Sequence, residues 1–112
     1  MNGVMKIGTA VGIRPEHIDR YCELHANPWP EVLAENRNAG RCNYSIFLLR
    51  QCNLLFSYYE QTGADRPGGA ERVAVNPVMQ DWLRLCRSYQ VRLVPGEGPR
   101  LWADMERIFH QP

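Results

Sequence analysis

Two runs suited to β-strands, Cys42 to Leu49 and Leu54 to Gln61, are separated only by Arg50-Gln51-Cys52-Asn53, and no other feature of the chain narrows its fold as much. So short and polar a link makes the runs an antiparallel hairpin. In the first run Cys42, Tyr44, Ile46 and Leu48 share a face by the period-two rule, which puts Tyr44 on the apolar side of the sheet with a hydroxyl that needs a partner. A further strand is read at Met5 to Ile13. There Met5, Ile7, Thr9, Val11 and Ile13 point one way, while Lys6, Gly8, Ala10 and Gly12 point the other. The small residues of the second set leave room for a bulky neighbour.

Helices are expected between and after these strands. Pro15 suits a first helical turn, where its missing N–H costs nothing, and Glu16 and Asp19 follow in positions the helix dipole favours. That helix runs to about His25, with Ile18, Tyr21, Cys22 and His25 as its inward stripe. Pro28 and Pro30 break it, and Pro30 opens a second helix through Glu31, Val32, Leu33 and Ala34 that Gly40 closes. Thr62 to Gly69 reads as a flexible loop. Asn76-Pro77 then supplies an N-cap and a first-turn proline for a third helix, with Met79, Trp82, Leu83 and Cys86 inward and Gln80, Asp81, Arg84 and Arg87 in water. Pro95 to Pro99 is a rigid link. Leu101 to His110 reads as a closing strand, although Trp102 to Arg107 suits a helix as well by propensity.

Strand, helices, hairpin, helix, strand is the order of a ferredoxin-like α+β domain, one antiparallel sheet with helices on one face, filling residues 1–112. The other face of the sheet is then bare. A chain this small hides such a face most simply behind a second copy, so a homodimer is expected, two sheets closing into a dimeric α+β barrel.

Charge and cysteine usage remove several classes of function. Thirteen Lys and Arg against twelve Asp and Glu, with no basic run, argue against nucleic acid as a partner. No apolar stretch approaches the roughly 20 residues a bilayer requires, and the first residues lack a secretory segment, so neither a membrane partner nor export is expected and the cytoplasm is. The four cysteines, at 22, 42, 52 and 86, lack the close spacing of a zinc clip, so no metal is expected. They read as buried, inert thiols in a reducing compartment.

The chain has no phosphate loop, no His-Glu-x-x-His and no nucleophile elbow. What it offers is a possible pocket: Tyr21 and His25 on one helical stripe, with Tyr44 from the sheet and Trp82 from the third helix able to converge on them. Aromatic walls with hydroxyls and one imidazole grip a small polar ring, whose C–H face stacks while its hydroxyls hydrogen-bond. Each residue also has a plainer reading. A histidine near a helix end commonly serves the dipole, and Tyr21, Tyr44 and Trp82 taken singly are ordinary core residues. Glu31 reads as an early-turn helix stabiliser, and His17 and His110 lie apart from this stripe. If a proton must move at neutral pH, His25 is the best-placed group.

Six segments in order give the chain a resemblance to the L-rhamnose mutarotases, small dimeric α+β proteins that interconvert the anomers of 6-deoxyhexoses. They are Tyr21-Cys22-Glu23-Leu24-His25, the His25 to Trp29-Pro30-Glu31 spacing, Asn43 to Leu48, Asn53 to Phe56, Pro77 to Trp82 and Met105 to His110. The resemblance implies that His25 is the proton donor, that Tyr21, Tyr44 and Trp82 contact the sugar, and that no metal or cofactor takes part. It implies L-rhamnose as substrate by default, with L-fucose as an alternative. Two features depart from the family: Leu83 stands where a second tryptophan is frequent, and the Arg66-Pro67-Gly68-Gly69 loop is long. Two rival readings share the scaffold, a cofactor-free monooxygenase and a sugar-binding module without turnover.

Overall fold

A computed structural model describes residues 3–62 and 76–112. Strand β1 (Met5–Ile13) leads through a 3-10 turn at Pro15–His17 into helix α1 (Ile18–Ala26), followed by α2 (Pro30–Asn38). The hairpin is β2 (Arg41–Leu49), a 3-10 turn at Arg50–Cys52, and β3 (Leu54–Gln61). Helix α3 (Pro77–Tyr89), β4 (Gln90–Val91) and β5 (Ala103–Met105) complete the described elements. The sheet order is β2-β3-β1-β4, antiparallel throughout, with β5 also on β1. This is the expected ferredoxin-like α+β arrangement, curled into a half-barrel with its helices on the inner face.

Local chemistry explains most boundaries. Asn53 takes the left-handed conformation (φ 54°) that ends the hairpin's 3-10 turn and hands the chain to β3. Gly40 closes α2 at φ +85°, and a Cβ there would collide with the Thr62 carbonyl, so only glycine lets the two ends of the hairpin meet. Asn76 caps α3 as its sequence predicts, its side-chain oxygen accepting from the N–H groups of Val78 (2.9 Å) and Met79 (3.2 Å). The expected 62–69 loop falls, from residue 63 on, outside the described residues.

The core lies between the sheet and the helices: Val11, Ile13 and Leu55 from the strands meet Ile18, Tyr21, Leu24, Val32, Met79, Trp82 and Cys86. Three expectations need correction. On α1 the buried stripe is Ile18, Tyr21 and Leu24, because Cys22 sits a further 100° around the helix and faces water. Cys42 and Cys52 are exposed as well, so only Cys86 is the inert buried thiol expected, with its pKa pushed up to about 12 by burial. In β2 a bulge intervenes. Cys42 pairs with Glu60 and Ser45 with Tyr58, so the partner advances two residues while β2 advances three. Asn43, at φ 48°, absorbs the extra residue. Cys42 is thereby turned to the outer face, and Tyr44 joins Ile46 and Leu48 on the inner one.

The C-terminal expectation also changes. Only Ala103–Met105 of the expected Leu101 to His110 strand is strand, and its competing helix does not form. The unforeseen β4 pairs with Gly12 and Ile13, and β5 with Gly8, Thr9 and Ala10. Both therefore lie end to end on one edge of β1, and residues 92–102 loop out between them. Val91 approaches Gly12 so closely that a Cβ there would sit 3.1 Å from it.

The outer face of the sheet carries Phe47 (61% exposed), Leu49, Val91 and Met105, beside Gly8, Ala10 and Gly12. No helix among the described residues is long and apolar enough to cross a membrane.

Candidate active site

His25 stands in the last turn of α1, where spacing of four places it directly over Tyr21. Its Nδ1 lies 2.8 Å from the Tyr21 backbone oxygen. A carbonyl only accepts, so Nδ1 carries a hydrogen, and Nε2 is the nitrogen left to exchange a proton. The imidazole stacks on the Tyr21 ring at 4.3 Å between centroids and stands 5.2 Å from the Trp82 ring, which Trp29 meets edge-on at 5.1 Å. Burial among these rings lowers the His25 pKa below its usual 6.5, opposed in part by the bond to the Tyr21 carbonyl. At neutral pH the imidazole is mainly neutral, and its conjugate acid is a stronger proton donor than free histidine.

A cavity of about 300 Å³ opens beside this imidazole, with His25, Tyr44 and Trp82 in its wall and Leu33, Asn36 and Ile46 among its other lining residues. Three of the four side chains singled out from the sequence thus come together. The volume suits a small ligand. Tyr21 is placed differently: it is 3% exposed, stacked behind His25, with its hydroxyl accepting from Gln90 Nε2 at 3.1 Å. Burial pushes its pKa up, so the phenol stays protonated. Tyr44 is 39% exposed overall, yet desolvation raises its pKa too, against the nearby charge of Arg41.

Asn36, Leu33 and Gln90 were not singled out from the sequence. Leu33 and Asn36 are three apart on α2 and so share a face, a signal that helical periodicity carries once the cavity's side of α2 is known. Gln90 gives no such signal. It follows the last turn of α3 and is buried only because β4 pairs with β1 there. Glu31, His17 and His110 are not in the cavity wall; His17 instead packs on Tyr89 at 4.8 Å. Leu83 also lies elsewhere, in the wall of a second cavity that shares Tyr44 with the first.

The chain is similar to known proteins along nearly its whole length. The family model of the L-rhamnose mutarotases matches residues 6–111. An L-rhamnose mutarotase of Oceanobacillus iheyensis is 29% identical over 103 residues, 92% of this chain and 94% of that protein. One from Pectobacterium atrosepticum is 38% identical over 72 residues, 64% of this chain and 66% of its own length. The crystal structure of an L-rhamnose mutarotase from Formosa agariphila superposes with a TM-score of 0.74 at 18% identity, covering 96% of this chain and 99% of that one. With the match running nearly end to end and the half-barrel reproduced, the chain belongs to the L-rhamnose mutarotase family of sugar isomerases.

Proposed function

We propose that this protein interconverts the α and β anomers of L-rhamnose, accepting L-fucose as a second 6-deoxyhexose, with His25 as the proton-transfer residue. The observation that carries the reading is the anchored imidazole in the cavity wall, its Nδ1 tied to the Tyr21 carbonyl and its Nε2 left to exchange a proton. In its imidazolium form His25 donates from Nε2 to the ring oxygen while a water takes the proton of the anomeric hydroxyl. The bond from C1 to the ring oxygen breaks and an aldehyde forms. Rotation about C1–C2 and the reverse proton transfers then close the ring as the other anomer.

Proton transfer by a positioned side chain supplies roughly 10²- to 10⁴-fold, which serves a reaction that already proceeds in water. Trp82 and Tyr44 are the walls against which the sugar packs. Tyr21 is proposed as a further sugar contact, supported by the place of its hydroxyl beside Gln90, which reaches the adjoining cavity. Saturation-transfer NMR on L-rhamnose and L-fucose tests all of this: wild-type protein should exchange anomers, and His25→Ala should not. Exchange at the wild-type rate in that variant rejects the proton-transfer role.

We further propose that two copies pair through the outer sheet face. Its support is the row of exposed Phe47, Leu49, Val91 and Met105 on strands whose other face is core. Sedimentation should give twice the chain mass, and Phe47→Lys should lower it. Three exposed cysteines, each unpaired, support a reducing compartment such as the cytoplasm.

A further inference from the structure

A second cavity, of about 260 Å³, adjoins the first and shares Tyr44 with it. Its lining is of another kind. Arg41, Arg87 and Arg100 all face it, with Thr9, Tyr59 and Gln90, and no carboxylate side chain is in its wall among the described residues. Arg41 lies with its guanidinium carbon 5.2 Å from the centre of the Tyr59 ring, and that ring is 5.2 Å from Tyr44. Stacking uses the face of a guanidinium and leaves its in-plane N–H donors available. Arg100 is steadied from outside the cavity by Asp104, at 2.9 Å, which occupies one edge of its fork. No carboxylate among the described residues pairs with Arg41 or Arg87.

A chain of net charge +1 thus gathers three of its cations around one hollow. The hollow also contains an unsettled polar group. Gln90 is 5% exposed, and while its Nε2 reaches the Tyr21 hydroxyl, its Oε1 is buried with no hydrogen-bond partner. Amide ends are assigned by their bonds, so in either orientation one polar end of Gln90 goes without a partner. Buried polar groups of this kind are normally satisfied; with the amide turned over, its oxygen accepts from the Tyr21 hydroxyl and its Nε2 is left to donate to an oxygen brought by a ligand.

We propose that this second cavity is an oxyanion subsite, which takes a carboxylate, sulfate or phosphate group carried by the sugar whose ring lies at His25, with Arg41 and Arg100 as its charge partners. Tyr44 is in the wall of both cavities, so the proposal requires the substituent to lie on the side of the sugar that faces Tyr44. A group on the anomeric oxygen is excluded, since it would block ring opening. The inference rests on the sugar reading for the rest of the ligand and on the second cavity alone for the anion.

The test separates the two. Inorganic sulfate, inorganic phosphate and acetate are titrated calorimetrically at constant ionic strength against wild type, Arg41→Gln, Arg100→Gln and His25→Ala. Wild type and His25→Ala should bind at least one of these anions, and each arginine variant, with its melting temperature checked against wild type, should bind it at least tenfold more weakly. The anion that binds names the substituent. Anion binding no stronger than that of chloride, or equal in the arginine variants, overturns the subsite. Sulfate that displaces L-rhamnose from wild type overturns it too, since the anion would then occupy the ring's own place. None of these results bears on anomer exchange by His25, which the NMR experiment reads separately.

Discussion

The two cavities that meet at Tyr44 are nearly equal in volume and opposite in chemistry. The one beside His25 has a single titratable nitrogen among indole, phenol and aliphatic walls; its neighbour has three guanidiniums. Proton transfer benefits from the first environment, where low polarity keeps the imidazole neutral and its conjugate acid strong. Recognition of charge benefits from the second, where planar, permanently charged forks match an oxyanion. The role proposed for His25 and the one proposed for the arginines thus rest on the walls of different cavities, and each can be damaged without the other.

The largest effect expected is at the imidazole. His25→Ala should lower anomer exchange by about 10²- to 10⁴-fold while leaving the circular dichroism spectrum and anion binding as they were. A variant that loses both properties would erase the distinction between the cavities. Trp82→Ala removes a buried indole from the wall of the first cavity and should cost about 3–5 kcal/mol in urea denaturation, far more than any change at the arginine rim.

The acidity of His25 sharpens the contrast further. Because its folded pKa lies below 6.5, the imidazolium fraction grows as pH falls, and exchange of L-rhamnose should rise up to tenfold per unit until that pKa is reached, then level off. Stability runs the other way. The unfolded histidine binds protons more readily than the folded one, so the folded state loses stability as pH drops from 6.5 to the folded pKa. A rate that falls with acidification while the protein remains folded would make His25 a base rather than the donor. Sulfate, which keeps its charge over the same range, should bind the arginine-lined cavity equally at each pH.

Smaller effects follow. Leu83→Trp places an indole in the second cavity and should weaken sulfate binding about tenfold by filling the space a ligand would take, with the His25 cavity unaltered. Asn76→Ala should cost about 1 kcal/mol in thermal or urea unfolding by uncapping α3, with no preference between the cavities, since α3 supplies both.

The first cavity could be read in outline because its parts follow local rules. Tyr21 and His25 are four apart on a helix, Asn76-Pro77 sets the start of the helix that brings Trp82, and a four-residue link makes the hairpin that brings Tyr44. Even there the route was partly hidden. Simple alternation put Tyr44 on a face with Cys42, whereas the bulge at Asn43 separates them; a bulge depends on how two strands pair, which one strand's pattern does not record. The exposure of Cys22 similarly depended on which side of α1 the sheet would meet, a choice made by packing Leu24.

Sequence alone determined the first strand, the hairpin, the three helices and the placing of His25 over Tyr21, because helix caps, alternation and short turns act over a few residues. Tertiary structure alone decided the second cavity: Thr9, Arg41, Arg87, Gln90 and Arg100 come from strands, a helix and a loop far apart in the chain. They meet because β4 and β5 share one edge of β1 and force residues 92–102 outward, leaving Pro99 to Trp102 in the wall. Such a meeting has no period or motif, since it arises from pairing between segments that are remote in sequence and adjacent only once the sheet has closed.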